Sequence, residues 1–366
     1  MPTPERQEAD RLFALFQARG ATPVEIPVLV PSETLLDLYG EDLRTRAYVT
    51  SDPLQGEMML RPDFTVPVVQ MHMAQADGAA RYTYRGEVFR KQITEVGRSN
   101  QYLQVGLELI DHPDPHAAEA EIFASVRAGL RDLPCQAVTG DMGVVLAAIE
   151  GLETSAARKA ALVRHIWRPG RFRTLMDRFR GRVPVPEARA RIAALPPETV
   201  RAEIAAGGPA IGLRSSDEIE ARIATLADEA RTPPIPAAQA AMLDDILSLR
   251  ANAAVALTRL RDIGADLPSI APVLDRMARR LDALDAAGVD PQTLAFEGSF
   301  GRSAMEYYDG FVFGFVVSGR GELPPVATGG RYDALTRVLG QGRTTPAVGA
   351  VIRPAVVVAA RNGASC

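Results

Sequence analysis

Apolar and polar residues alternate strictly along Gln101-Tyr102-Leu103-Gln104-Val105-Gly106-Leu107-Glu108-Leu109-Ile110. A strand period puts Leu103, Val105, Leu107 and Leu109 on one face and Tyr102, Gln104, Gly106 and Glu108 on the other. This predicts a sheet with an apolar back and a polar floor. Gly106, between Gln104 and Glu108, predicts room above the backbone for a ligand, and a carboxylate beside an amide suits an ammonium group or an imidazole N–H. An ordinary half-exposed strand would carry the same alternation. Residues 81–90 read as its antiparallel partner, and a loop over 91–100 containing Gly97-Arg98 completes a long hairpin with arginines at the strand end and in the loop.

The period changes along the rest of the chain. Leu12, Phe13, Leu15 and Phe16 mark a first helix ending near Gly20, and residues 24–31 read as a strand in which Pro27 takes a position whose N–H the ladder does not need. Residues 48–50 and 58–60 flank a turn-rich tip. Asp114-Pro115 starts a helix whose Ile122, Phe123, Val126 and Leu130 form one stripe, to be packed behind the sheet. From about Gly151 to Gln292 the texture becomes alanine, arginine and helix-period leucine. One amphipathic helix carries Ile270, Val273, Leu274, Met277, Leu281 and Leu284 and ends at Gly288; another runs from Met242 to Ile263. Prolines 184, 186, 196, 197 and 209 punctuate loop-linked helices. Strand texture returns at Thr293 with Leu294-Ala295-Phe296, and Tyr332, Leu335, Val338, Leu339 and Gly340 spell a short capped helix. The expectation is an α+β fold whose main domain is discontinuous, residues 1–150 and 293–366, with a helical insertion domain over 151–292.

Composition narrows the class more than the function. With 366 residues, 47% hydrophobic and 23% charged, the chain can bury a large core plus a smaller module. A net charge of −4 gives no whole-chain attraction to nucleic acid. Cys135 and Cys366 have no metal spacing and fit a reduced, cytoplasmic protein, and neither a signal core nor a membrane-length apolar run is present. His72, His112, His116 and His165 are scattered; the run Asp111-His112-Pro113-Asp114-Pro115-His116 reads as a turn and helix cap, and no metal or cofactor is expected. Between Arg158 and Arg191 stand eleven basic residues against Asp177 and Glu187, with Trp167, Phe172 and Phe179 interleaved. Such a stretch can be a solvated face, a docking surface for an acidic partner or, as the less favoured reading, an RNA contact.

The chemistry-bearing segments resemble histidyl-tRNA synthetase. Phe89-Arg90, Gly97-Arg98, Gln101, Gln104, Gly106 and Glu108 match the spacing of its motif 2. Leu60-Arg61-Pro62-Asp63-Phe64-Thr65 is similar to its Leu-Arg-Pro-Glu-Gly-Thr segment, with the acid one methylene shorter. Glu306-Tyr307-Tyr308-Asp309-Gly310 resembles its histidine-specific tyrosine pair, and Gly329-Gly330-Arg331-Tyr332-Asp333 with Pro346-Ala347-Val348-Gly349 its entry into motif 3. The resemblance implies a class II aminoacyl-tRNA synthetase-like antiparallel sheet flanked by helices, and a homodimer through the motif 1 region around Pro27. It also implies a histidine pocket made by Asp63, Thr65, Arg90, Gln104, Glu108, Tyr307 and Tyr308.

The departures fall on phosphate chemistry. The synthetase arginine four residues before the tyrosine pair is Ser303 here, although Arg302 stands next to it; the motif 3 arginine is Val356; in the motif 2 loop an acid and a basic residue are replaced by Gln92 and Ile93. Adenylation needs fixed positive charge on the leaving pyrophosphate, and each lost contact costs about a hundredfold or more. The chain also ends ten residues after Val356, where the synthetases continue into an anticodon-binding domain. A kept amino-acid pocket with a dismantled ATP site resembles the regulatory subunits of ATP phosphoribosyltransferase. That resemblance implies a non-catalytic partner of the short-form catalytic subunit in the first step of L-histidine biosynthesis, with histidine as effector. A residual histidine-activating enzyme and an RNA-binding module are the alternatives.

Overall fold

The two alternating segments pair as expected in the computed structural model, with residues 80–89 in continuous antiparallel register against 101–110. The structure describes residues 2–39, 43–75, 78–92, 99–208, 212, 214–302 and 307–363. Among them the strands are β1 (Thr22–Pro23), β2 (Leu29–Pro31), β3 (Val49–Asp52), β4 (Gly56–Leu60), β5 (Ala80–Phe89), β6 (Gln101–Ile110), β7 (Cys135–Asp141), β8 (Arg250–Asn252), β9 (Ala295–Glu297), β10 (Phe311–Val317), β11 (Ala327–Arg331) and β12 (Ala347–Ile352). One sheet has the order β1-β5-β6-β12-β11-β10-β7-β9-β8, and a small one the order β2-β4-β3. Only β1 with β5 and β7 with β9 run parallel in the large sheet.

The helices are α1 (Pro4–Ala18), α2 (Ser32–Tyr39), α3 (Leu43–Arg46), α4 (Thr65–Gln75), α5 (Pro115–Gly129), α6 (Met142–Glu150), α7 (Ala156–Arg164) and α8 (Pro169–Phe179). They continue as α9 (Glu187–Ala193), α10 (Pro197–Ala206), α11 (Ser216–Arg231), α12 (Ala237–Ser248), α13 (Ala253–Asp266), α14 (Ala271–Ala286), α15 (Asp333–Leu339) and α16 (Pro354–Gly363). No described helix is long and apolar enough to cross a membrane.

The sheet period sorts the two faces of the large sheet. On the apolar back, Phe311, Phe313 and Phe315 of β10 surround Phe123 of α5 at ring-centroid distances of 6.5, 5.2 and 5.0 Å. Helices α1 and α16 pack on β6 and α5 on β11 and β12. The other face carries Tyr82, Tyr84, Val88 and Tyr102, which form a cluster with Ile26 and with Phe64 and Val68 of the α4 segment. Asp114 caps α5, its carboxylate accepting from the backbone N–H of His116 and Ala117 at 2.9 and 3.1 Å, so its run of histidines and prolines builds a helix start.

The chain divides into two units: residues 1–146 with 246–366, and residues 147–245. The insertion is therefore shorter than the expected 151–292. Residues 246–292 belong with the sheet, because β8 pairs with β9 and α14 packs on α5. The single helix expected from Met242 to Ile263 is two. The extended residues Arg250–Asn252 interrupt it, and the Asn252 side chain accepts from Val255 N at 2.9 Å to start α13. Of residues 24–31 only Leu29–Pro31, β2, is a strand; β1 precedes the segment at Thr22–Pro23, and residues 24–28 between them are irregular.

Within the insertion unit much of the basic stretch is internally matched. The buried Arg158 donates to the carbonyls of Glu229, Thr232 and Pro233. Arg178 and Arg189 both pair with Glu229, and Arg180 pairs with Asp244.

Candidate ligand pocket

Antiparallel register makes directly opposed residues share a face, so Gln104 and Glu108 of β6 lie on the same side as Gly349 and Val351 of β12 and Thr328 of β11. Glu108 is wholly buried, and three hydroxyls converge on it. Thr65 Oγ1 and Tyr84 Oη donate to its Oε1, both at 2.8 Å, and Tyr332 Oη donates to its Oε2 at 2.5 Å. Two glycines make this arrangement possible. A Cβ on Gly349 would fall on Glu108 Oε2, and one on Gly106 would fall inside the Tyr84 ring. The room predicted over Gly106 is thus filled by Tyr84, whose own ring stacks on Phe64 at 4.4 Å, and is not open to a ligand.

Burial dominates the electrostatics. It raises the Glu108 carboxyl to about 7 even though Tyr332, Tyr84 and Thr65 all favour the ionised form, with Asp63 adding a smaller upward push. Burial likewise lifts the phenols of Tyr84, Tyr307, Tyr308 and Tyr332 above their ordinary value, so all four remain protonated donors.

In front of this carboxylate lies a cleft whose roughly 340 Å³ of non-atom space includes its solvent-filled mouth. Six of the seven sequence-predicted residues line it: Asp63, Thr65, Arg90, Gln104, Tyr307 and Tyr308. Glu108 does not; it stands behind Thr65 and acts on the cavity through that hydroxyl. Gln104 is 1% exposed and its Oε1 has no hydrogen-bond partner, a buried acceptor at the cavity wall. Asp63 is 3% exposed and its Oδ1 accepts from Val66 N at 3.2 Å, at the start of α4.

Arg90, at the end of the hairpin, lies away from Glu108: its backbone N–H bonds to Asn100 O and its Nε to Pro62 O at 2.6 Å, whereas Glu108 lies opposite Tyr82. Tyr307 and Tyr308 precede β10 instead of lying in it, so strand alternation does not separate them and both reach the cavity, their rings 4.9 Å apart and edge to face. Gly97-Arg98, Ile93, Ser303 and Glu306 lie outside the described residues.

Sequence reasoning missed Thr328 and Arg353, which complete the wall together with Ala350 and Val351. Arg353 follows β12 directly. Its Nη1 donates to Pro325 O at 2.6 Å and its Nη2 to Thr328 Oγ1 at 3.3 Å, which fixes the guanidinium. Tyr332, expected as a helix-start residue and as part of the entry into motif 3, brings the third hydroxyl to Glu108. Val356, read as the replacement of the motif 3 arginine, is buried in α16. The wall therefore carries a carboxylate, an amide acceptor, hydroxyls, two phenols and two guanidiniums, a set able to hold a small zwitterion bearing a further polar group.

Behind the pocket, β11 and the start of α15 are anchored by a buried charge network. Arg331 bonds Glu119 at 2.5 Å, Asp333 at 3.0 Å and Pro115 O at 2.7 Å. Arg280 bonds Asp141 at 2.8 Å and lies 3.6 Å from Glu119. Although burial works against ionisation, Arg280 and Arg331 hold the Glu119 carboxyl down to about 2. Asp309 takes the N–H groups of Asp333 and Ala334, fixing the helix start beside Tyr332.

A family model described as histidyl-tRNA synthetase matches residues 4–196 and 217–357. Among curated proteins, ATP phosphoribosyltransferase regulatory subunits of Brucella ovis and Brucella abortus are each 32% identical over 349 residues, covering 91% of this chain and 92% and 91% of theirs. A solved structure from Bacillus halodurans, described as an ATP phosphoribosyltransferase regulatory subunit/histidyl-tRNA synthetase, superposes with a TM-score of 0.68 at 21% identity, covering 98% of this chain and 79% of that one. Histidyl-tRNA synthetase from Nostoc sp. PCC 7120 gives 0.62 at 16% identity, covering 98% and 72%. These two likenesses establish the fold: a large, mostly antiparallel sheet flanked by helices, of the class II synthetase type.

Proposed function

We propose, for a chain that belongs to the histidyl-tRNA synthetase-like family of ATP phosphoribosyltransferase regulatory subunits, that it senses L-histidine for a catalytic partner and performs no chemistry of its own. The chain is the regulatory subunit of an ATP phosphoribosyltransferase and serves histidine biosynthesis. The observation that carries this is 32% identity sustained over 91% of the chain and 92% of a relative so named. Its partner is the short-form catalytic subunit, which joins ATP to phosphoribosyl pyrophosphate.

The pocket supplies the chemistry of the sensor. Asp63, Thr65 and Gln104 offer acceptors for an ammonium group, the arginines offer donors for a carboxylate, and Tyr307 and Tyr308 present neutral phenols to an imidazole. Feedback follows if the assembled complex has two conformations that bind histidine unequally. Loss of adenylation is supported by Val356, an apolar side chain buried in α16 where the synthetase pattern calls for a nucleotide-packing arginine. A second copy docks through the motif 1 region, where Val28 and Leu29 are each 44% exposed beside the edge of the small sheet.

The test is phosphoribosyl-ATP formation by the purified short-form catalytic subunit, with and without this chain, each titrated with histidine. Activation by the chain and inhibition by histidine only in its presence are expected. An unchanged rate and an unchanged histidine response would refute the reading. Histidine-dependent exchange of pyrophosphate into ATP by the chain alone, expected to be absent, would establish residual adenylation instead.

A further inference from the structure

The two cavity arginines stand at different levels of the sheet, and this decides which can meet a ligand held at Gln104. The ladder between β6 and β12 ends at the pair Val105 with Ile352, so the next residues, Gln104 and Arg353, are cross-strand neighbours about 5 Å apart at the backbone. On the other side Gln104 pairs with Gly86 of β5, and Arg90 lies four residues further along, roughly 13 Å at about 3.3 Å per residue. Arg90 is also turned to Pro62 O, at the junction of β4 and α4. Arg353 is fixed level with the amide by Pro325 O and Thr328 Oγ1.

An α-amino acid carries its ammonium and its carboxylate on one carbon, so a receptor for it needs a hydrogen-bond acceptor and a cation side by side. Gln104 Oε1 is a buried acceptor without a partner at the cavity wall, and Arg353, from the end of the neighbouring strand, lines the same cavity. We infer that Arg353 receives the α-carboxylate of an amino-acid ligand whose ammonium group is taken by Gln104, Asp63 and Thr65, an inference that rests on the amino-acid reading of the pocket. Arg353 is then a specificity-determining residue, separating amino acids from the matching amino alcohols and amines. The arginine that the synthetase pattern places at position 303 is not needed for this contact, because Arg353 supplies the charge.

Calorimetry on the full chain with L-histidine and with L-histidinol, which keeps the ammonium and imidazole but has an alcohol for the carboxylate, tests it. Wild type should bind histidine at least about tenfold more tightly than histidinol. Arg353→Gln should weaken histidine about ten- to a hundredfold and leave histidinol unchanged, which also reports a folded pocket; Arg353→Lys should recover part of the loss; Arg90→Gln should keep the ratio of the two affinities. An Arg353→Gln chain that keeps the wild-type ratio, or an Arg90→Gln chain that loses it, would overturn the assignment while leaving the amino-acid reading standing. Equal loss of both ligands in both Arg353 variants would also overturn it, since the side chain would then be holding the wall and not the carboxylate. Wild type binding neither compound would overturn the amino-acid reading, and the inference with it.

Discussion

Exchanging Glu108 for glutamine separates the charge of the buried carboxyl from its shape. Folding raises this carboxyl from 4.5 to about 7, chiefly through burial. Between those two pH values the folded chain holds a proton that the unfolded chain has released, so rising pH favours unfolding, and the loss is complete above about pH 7. The interval corresponds to about 3 kcal/mol, at about 1.4 kcal/mol per pH unit. Glutamine cannot ionise. Its carbonyl oxygen can still accept from Thr65 and Tyr84, and its amide can meet the Tyr332 hydroxyl once that hydroxyl turns to accept. The fixed cost of the exchange is about 1–2 kcal/mol, of the order of one charge-assisted hydrogen bond. Wild type should therefore be the more stable protein at pH 5, and the difference should shrink and reverse by pH 8. Urea unfolding of both chains from pH 5 to 8 measures this, with all groups common to the two cancelling in the difference. A difference that stays flat across that range would show that the carboxyl titrates as an ordinary one, and the account of the buried hub would fail.

Three further substitutions probe the same architecture. Gly349→Ala places a methyl group on Glu108 Oε2, with Leu107 O another 3.1 Å away, and should lower stability by about 2 kcal/mol or more; an unchanged melting temperature would mean that the carboxylate is free to move. Arg331→Ala leaves Glu119 buried with Arg280 and His116 beside it and should cost about 3–5 kcal/mol, read as a lower denaturant midpoint. Glu119 is held down to about 2, so its contribution is present above 4.5 and lost as pH falls toward 2. Glu119→Gln should remove that part of the acid dependence, which acid titration followed by circular dichroism would report.

The hairpin of β5 and β6 is legible because one face of β6 is apolar and the other polar. Alternation over ten residues fixes both the strand and the direction of each side chain, since a one-residue slip would bury Gln104 and Glu108 in the apolar back. Helices α5 and α14 were legible from apolar stripes and end signals. The break at Arg250–Asn252 was not, because leucines and alanines continue at helical spacing on both sides of it; the contacts that make β8 a strand come from β9, more than forty residues later. The overlong insertion follows from the same cause. Helical texture was taken as one unit, although α13 and α14 are helices of the sheet-bearing unit.

The pocket divides along a similar line. Residues carried by local pattern or by motif spacing, Asp63, Thr65, Gln104, Tyr307 and Tyr308, reach the cavity. What local pattern cannot give is depth. Glu108 and Gln104 share a face and differ by four residues, yet only Gln104 lines the cavity, because Thr65 from α4, Tyr84 from β5 and Tyr332 from the start of α15 close over the carboxylate. Those three residues lie 43, 24 and 224 positions away in the chain, and no spacing rule joins them. Gly106 was read as space for a ligand and Gly349 as part of a motif. Both are openings into which a neighbouring strand sends a large side chain, so a glycine on a sheet floor marks close approach without saying by what. Arg353 escaped notice for a complementary reason. The synthetase pattern puts positive charge at 303 and 356, whereas strand pairing brings a cation to the end of β12, one residue past the last ladder pair and level with Gln104. A site assembled from three strands and a helix start can keep its chemistry while moving the residue that supplies it, which is why register, more than motif, locates the charge in this pocket.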